Sequence, residues 1–232
     1  KVFSNYFRKN DSLYKKYNNN VPPKILSIYN SEYKILEHKR NLVLWKYTKK
    51  HPNSFVALWE LVGKLNSGYR PIFDSIYSQL SINLKRTVTG KRLYDQLKSS
   101  AIVNVGNNFP LLLLQNLKNE KTEISINKNK KYTLIDFWFS HCFPCISQFD
   151  ELKNLFEKYS QKEFDILSIS VDDSAHINDW RNVIAKYNLP WKQYLDLNGK
   201  EANQLSIRAF PTNFLLDRNG KIIETDIDPV EL

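Results

Sequence analysis

The chain holds two cysteines, separated by two residues as Cys142-Phe143-Pro144-Cys145. A pair this close cannot staple distant parts of a fold, and no second pair is present to complete a structural zinc site. What the spacing suits is redox chemistry. One thiolate attacks a disulfide, and the second sulfur, one helical turn later, resolves the mixed disulfide that forms. The attacking group must be a thiolate, and a helix N-terminus favours one through its unpaired N–H groups and partial positive charge.

The flanking residues predict that placement. Tyr132 to Phe139 is an apolar run of the length of a fully buried strand. Residues 144–159 follow as a helix with Ile146, Phe149, Leu152, Leu155 and Phe156 on one face. Cys142 then lies directly after a strand and at the start of a helix, which makes it the attacking sulfur and Cys145 the resolving one. Its sulfur is expected to be partly exposed, with Cys145 more buried. Pro144 suits a first helical turn, where no amide donor is needed.

Other elements frame this unit. Residues 109–115 and 122–126 are strand-like around a polar turn, and residues 164–171 form a second buried-strand pattern. Residues 174–187 make a helix capped by Asp173 or Ser174, with Ile177, Trp180 and Ile184 turned inward, and a short helix covers 200–205. Strands at 212–216 and 221–225 are joined by the turn from Asp217 to Gly220. The order implies parallel strands with crossover helices, closed by an antiparallel hairpin.

Residues 1–100 are helical in pattern after an irregular, Asn-rich opening that ends at Pro22-Pro23. Ile25, Ile28, Tyr29, Leu36, Leu42 and Trp45 recur at helical spacing, as two helices or one broken near Asn30-Ser31. Phe55, Leu58, Leu61, Val62 and Leu65 form a second stripe, with Gly68 where a C-terminal glycine belongs. Pro71 opens a third stretch, and a fourth runs from Thr89 to Ser99. Trp45, Phe55, Trp59, Phe73 and Tyr77 are expected to lean on the C-terminal unit.

Charge divides the chain at the same place. Residues 1–100 hold 19 basic and 6 acidic residues, a balance of +13, against 15 and 18 in residues 101–232, a balance of −3. Two domains, 1–100 and 101–232, follow from this and from the change of pattern near Ala101. The lysines are scattered, which favours a solvated surface over a nucleic-acid reader. No run of about 18 apolar residues is present to span a membrane. The opening has no apolar signal core and the chain has no Met, which reads as a piece of a longer precursor.

Two segments resemble a known family. The stretch Asp136-Phe137-Trp138-Phe139-Ser140-His141-Cys142-Phe143-Pro144-Cys145 and the stretch from Phe210-Pro211-Thr212 to Gly220-Lys221 are similar to those of the thioredoxin superfamily, in its TlpA/ResA-like branch. The likeness covers residues 101–228. It implies an α/β thioredoxin fold, a central mixed sheet flanked by helices, here preceded by an all-helical N-terminal segment, and a last helix beginning where this sequence stops. It makes Asp136 the buried acid that exchanges a proton with the resolving cysteine, and Trp138 the aromatic beneath the site. Pro211, after Phe210, forms a cis turn facing the redox pair and offers backbone groups to a substrate strand.

Departures from the family pattern are His141 in place of an aromatic, Phe143 in place of a small residue, and Gln148 in place of an acid. An imidazolium at His141 would add thiolate stabilisation. Trp138, His141, Phe143, Phe210 and Pro211 thus make up the expected substrate-binding rim, with no metal and no cofactor. The implied partners are protein thiols and disulfides and a redox partner protein.

Residues 53–100 resemble the helical segment of multidomain disulfide oxidoreductases from Bacteroidetes-type bacteria. That likeness implies a periplasmic or extracytoplasmic site, with any membrane tether outside this chain. Two further readings differ in class: a peroxiredoxin-like peroxidase, whose pattern needs a Thr where Phe139 stands, and a non-catalytic thioredoxin-fold binding module. The sequence leaves open whether disulfides are made or broken.

Overall fold

The computed structural model describes residues 2–17, 21–161 and 163–229. Helix α1 (Val2–Lys16) occupies the opening expected to be irregular. Tyr6 accounts for the difference. It is buried against Tyr29 and Tyr33 of α2 (Pro23–Lys50), with ring centroids 6.1 and 5.5 Å away, and this tertiary contact outweighs weak local propensity. Helix α2 runs unbroken through Asn30-Ser31, since each of those residues costs less than about 0.7 kcal/mol in a helix.

Helix α3 (Phe55–Leu65) starts at Ser54, whose hydroxyl accepts from the Ala57 amide at 3.2 Å. It is tied to α2 by Lys64–Glu37 and Arg40–Glu60 ion pairs, both 2.9 Å. Helices α4 (Ile72–Gln79), α5 (Ile82–Arg86) and α6 (Val88–Ile102) follow. The five-residue α5 has no counterpart among the sequence expectations, because its pattern is too short to show a period. A Cβ at Gly90 would sit 2.2 Å from the Leu84 carbonyl oxygen, so only glycine lets α5 and α6 approach.

These helices have their own core, built around Leu58, Leu61, Phe73, Ile76, Leu93 and Leu97. The expectation that aromatic residues carry the contact with the C-terminal unit is corrected here. Phe73 turns into the helical core, while Phe55 and Trp59 are 59% and 60% exposed. Polar contacts join the two halves: Arg70 pairs with Asp226 at 3.1 Å, and the Ser99 and Ser206 hydroxyls lie 2.5 Å apart.

The C-terminal half is built on strands β1 (Leu113–Asn116), β2 (Lys121–Glu123), β3 (Tyr132–Trp138), β4 (Phe164–Ser170), β5 (Lys192–Leu195), β6 (Thr212–Asp217) and β7 (Ile222–Thr225). They form one sheet in the order β2-β1-β5-β4-β3-β6-β7. Strands β3, β4 and β5 are parallel, and the other pairings are antiparallel. The expected hairpin is β6–β7. Strand β5 escapes the sequence reading: it has four residues, and Lys192 and Gln193 interrupt its apolar pattern.

The expected helix over 144–159 is two, α7 (Phe143–Ile146) and α8 (Phe149–Tyr159), with Ser147 and Gln148 still right-handed between them. Helices α9 (Ile177–Tyr187) and α10 (Lys200–Gln204) complete the unit. Alternation along the strands sorts side chains to two faces. Ile135, Phe137, Leu167, Ile169 and Phe214 pack with α10 and the segment after α6. Leu134, Trp138 and Ile166 pack with α8 and α9 on the other face, which also holds both cysteines.

Candidate active site

Cys142 caps α7, four residues after β3 ends, and Pro144 occupies its first turn. The Cys145 amide points at Cys142 Sγ from 3.2 Å, so a backbone donor is already aimed at the sulfur that would carry negative charge. Cys142 and Cys145 are disulfide-bonded, with Cα atoms 5.3 Å apart, inside the usual range for such a bridge. The expected difference in exposure is corrected: both residues are 3% exposed. They pack in one cluster with Trp138, Phe149 and Leu152, which shields Cys142 as fully as Cys145. Between them Phe143 stands 76% exposed, an aromatic side chain presented to solvent.

Asp136 lies on β3 between Leu134 and Trp138, so by alternation it shares their face, the one that carries the cysteines. It is 3% exposed. Burial raises its pKa from 3.8 to about 7, opposed by one hydrogen bond in which the Ser168 hydroxyl donates to Oδ2 at 3.2 Å. Ser168 in turn accepts from the Trp191 indole N–H at 2.8 Å. The hydrogen-bonded chain Trp191–Ser168–Asp136 therefore ends on a buried carboxyl whose pKa is raised toward neutral pH.

Trp138 is fully buried and meets Phe149 edge-on, with centroids 5.2 Å apart. Phe210–Pro211 is a cis peptide. Phe210 meets Phe139 edge-on at 5.7 Å and packs against the cluster that holds both cysteines.

A second buried carboxylate, missed in the sequence, fixes the segment between β3 and Cys142. Asp172 accepts from the Ser140 amide at 2.9 Å, from the Ser140 hydroxyl at 2.7 Å and from the Ser170 hydroxyl at 2.5 Å. All three residues are buried. Their signal is positional: Ser140 and Asp172 each stand two residues beyond a central parallel strand, the carboxyl edge where α/β sheets build sites.

His141 is on the rim, its side chain 61% exposed, with Nε2 3.1 Å from Asp179 Oδ2. That carboxylate offsets the charge an imidazolium would present to Cys142. Next to it, His176 Nδ1 lies 2.7 Å from Asp173 Oδ1. Hydrogen bonding to Asp173 raises the His176 pKa, and the same contact lowers that of Asp173. Asp173 also accepts from the Ala175 and His176 amides at 2.9 and 3.2 Å, but this fixes the turn before α9 and does not cap it. The helix expected from Ser174 begins at Ile177, with His176 at its N-cap and no side-chain cap hydrogen bond.

Residues 104–231, more than half of the chain, match the family model described as Redoxin. The chain belongs to the Redoxin family. Within it, this Redoxin-family chain is a TlpA/ResA-like thioredoxin-fold protein. The thiol-disulfide oxidoreductase ResA of a Bacillus cereus strain is 26% identical over 122 residues, covering 53% of this chain and 69% of that protein. Sporulation thiol-disulfide oxidoreductase A of Bacillus subtilis (strain 168) is 26% identical over 112 residues, covering 48% and 68%. A solved thiol-disulfide oxidoreductase from Bacteroides fragilis NCTC 9343 is 36% identical, with a TM-score of 0.46, covering 52% of this chain and 90% of that one. The curated relatives of this Redoxin-family protein are thus thiol-disulfide oxidoreductases, and its own CxxC pair is at disulfide distance.

Proposed function

We propose that this Redoxin-family chain is a thiol–disulfide oxidoreductase acting on protein thiols and disulfides, with Cys142 as nucleophile and Cys145 as resolving residue. The observation that carries this reading is the bonded pair at a strand-to-helix junction, with the Cys145 amide 3.2 Å from Cys142 Sγ. In the reducing direction the Cys142 thiolate attacks a substrate disulfide. A mixed disulfide forms and one substrate thiolate leaves. Cys145 then loses its proton to the Asp136 carboxylate and attacks Cys142 Sγ, releasing the second substrate thiolate and closing the intramolecular disulfide. Two electrons pass from the dithiol to the substrate. Oxidation of a substrate dithiol is the same sequence reversed.

Burial of Cys142 means that a substrate must come close along the rim before sulfur meets sulfur. Trp138, His141, Phe143, Phe210 and Pro211 are proposed to guide it, with Phe143 as the exposed apolar contact and the cis Phe210–Pro211 turn as the backbone partner. Phe139 edge-on against Phe210 fills the position at which a peroxidase would need a hydroxyl, so the geometry favours disulfide exchange over peroxide chemistry.

Separate cores in the two halves support a division into residues 1–100 and 101–232, with the helical half orienting the redox domain toward its substrates. Among the described residues no helix is long and apolar enough to cross a membrane. The resemblance supports work outside the cytoplasm, supplied with electrons by a redox partner protein and tethered, if at all, by a segment beyond this chain. The test is catalysed reduction of insulin by a small dithiol. The wild-type chain should accelerate it and Cys142→Ser should abolish the acceleration; equal rates for the two would defeat the proposal.

A further inference from the structure

We propose that His141, His176 and Asp179 form a binding site for one divalent transition-metal ion of the zinc class, on the rim beside Cys142. Their ligand atoms lie within 4.8 Å of one another. The shortest pair, His141 Nε2 and Asp179 Oδ2, is at 3.1 Å. Tetrahedral zinc with bonds of about 2.0–2.2 Å sets its ligands roughly 3.3 Å apart, so this pair is already at ligand spacing. The two imidazole rings stand at 81° to each other with centroids 5.0 Å apart. The side chains of His141, His176 and Asp179 are 61%, 44% and 44% exposed, so side-chain rotation can shorten the two remaining ligand distances, which are at most 4.8 Å.

Chemistry and support agree with the spacing. Two imidazoles and one carboxylate are a nitrogen and oxygen set suited to zinc, and three protein ligands leave a fourth position for water. His176 Nδ1 is held by Asp173 Oδ1 at 2.7 Å. With Nδ1 paired to a carboxylate, Nε2 is the ring nitrogen left to a metal, the arrangement that orients histidine ligands around metals. Asp173 is itself fixed by two backbone amides. Placement is equally constrained on the other side. His176 and Asp179 are three residues apart at the start of α9, while His141 follows Ser140, which Asp172 grips twice.

The site uses neither cysteine, so it is independent of the redox reading. Zinc titrated into the disulfide-bonded chain, followed by calorimetry, should show one saturable site per chain. His176→Gln and Asp179→Asn should each weaken it at least about tenfold, whereas Cys142→Ser/Cys145→Ser should leave it unchanged. The chain has four histidines, and NMR should show the His141 and His176 ring signals moving together while those of His38 and His51 stay in place. Binding of equal strength in His176→Gln, in Asp179→Asn and in the unaltered chain would overturn the proposal, as would no saturable binding.

Discussion

Replacing Asp136 with Asn removes a titrating group that the fold buries at a cost, and the cost depends on pH. In the folded chain its pKa is about 7; in an unfolded chain a carboxyl titrates near ~3.9. Between those values the folded state holds a proton that the unfolded state has released, so stability falls as pH rises, and above about 7 the loss is complete. A shift of about 3 units at 1.36 kcal/mol each amounts to ~4 kcal/mol. Below pH 4 the two proteins should differ only by a constant packing offset. By pH 8, Asp136→Asn should have gained ~4 kcal/mol relative to the unaltered chain.

Urea unfolding of both proteins at several pH values, with the disulfide intact, measures this difference. All other groups are common to both, so they cancel. Parallel stability curves across pH 4 to 8 would show that Asp136 is ionised in the fold at ordinary cost, and the argument for it as a neutral-pH proton acceptor would fail.

Ser168→Ala should move the midpoint of that pH profile upward, because the carboxylate loses its one side-chain donor. It should also lower overall stability by about 1–3 kcal/mol, since the Trp191 N–H is left buried without an acceptor. Asp172→Ala should cost about 3 kcal/mol by stranding the Ser140 amide and two buried hydroxyls, readable in the same urea assay. Because Ser140 positions His141 and Cys142, that variant should also lose about tenfold or more in insulin-reduction rate while still folded, checked by steady-state kinetics.

Legibility follows sequence period and chain proximity. The parallel pair β3 and β4 is readable because fully buried strands leave long apolar runs, and the β6–β7 hairpin because Asp217 to Gly220 is turn chemistry. Cys142 and Cys145 are readable as a pair by spacing alone, and Asp136 and Pro211 through the family resemblance. What escapes depends on contacts made across the fold. The opening helix α1 is held by Tyr6 against α2, 23 residues away at Tyr29. Asp172 and Ser140 are 32 residues apart, and Trp191 reaches Ser168 across 23. The equal burial of Cys142 is not readable either, because it depends on Phe149 and Leu152 packing beside it.

The proposed exchange needs two sulfurs with unequal roles, and trapping separates them directly. Cys145→Ser, reduced and mixed with a disulfide-bonded protein, should accumulate a stable mixed disulfide at Cys142, detected by non-reducing electrophoresis and located by mass spectrometry. Cys142→Ser should trap little. Equal trapping by the two variants, or linkage through Cys145 in preference to Cys142, would contradict the assignment of Cys142 as the attacking thiolate.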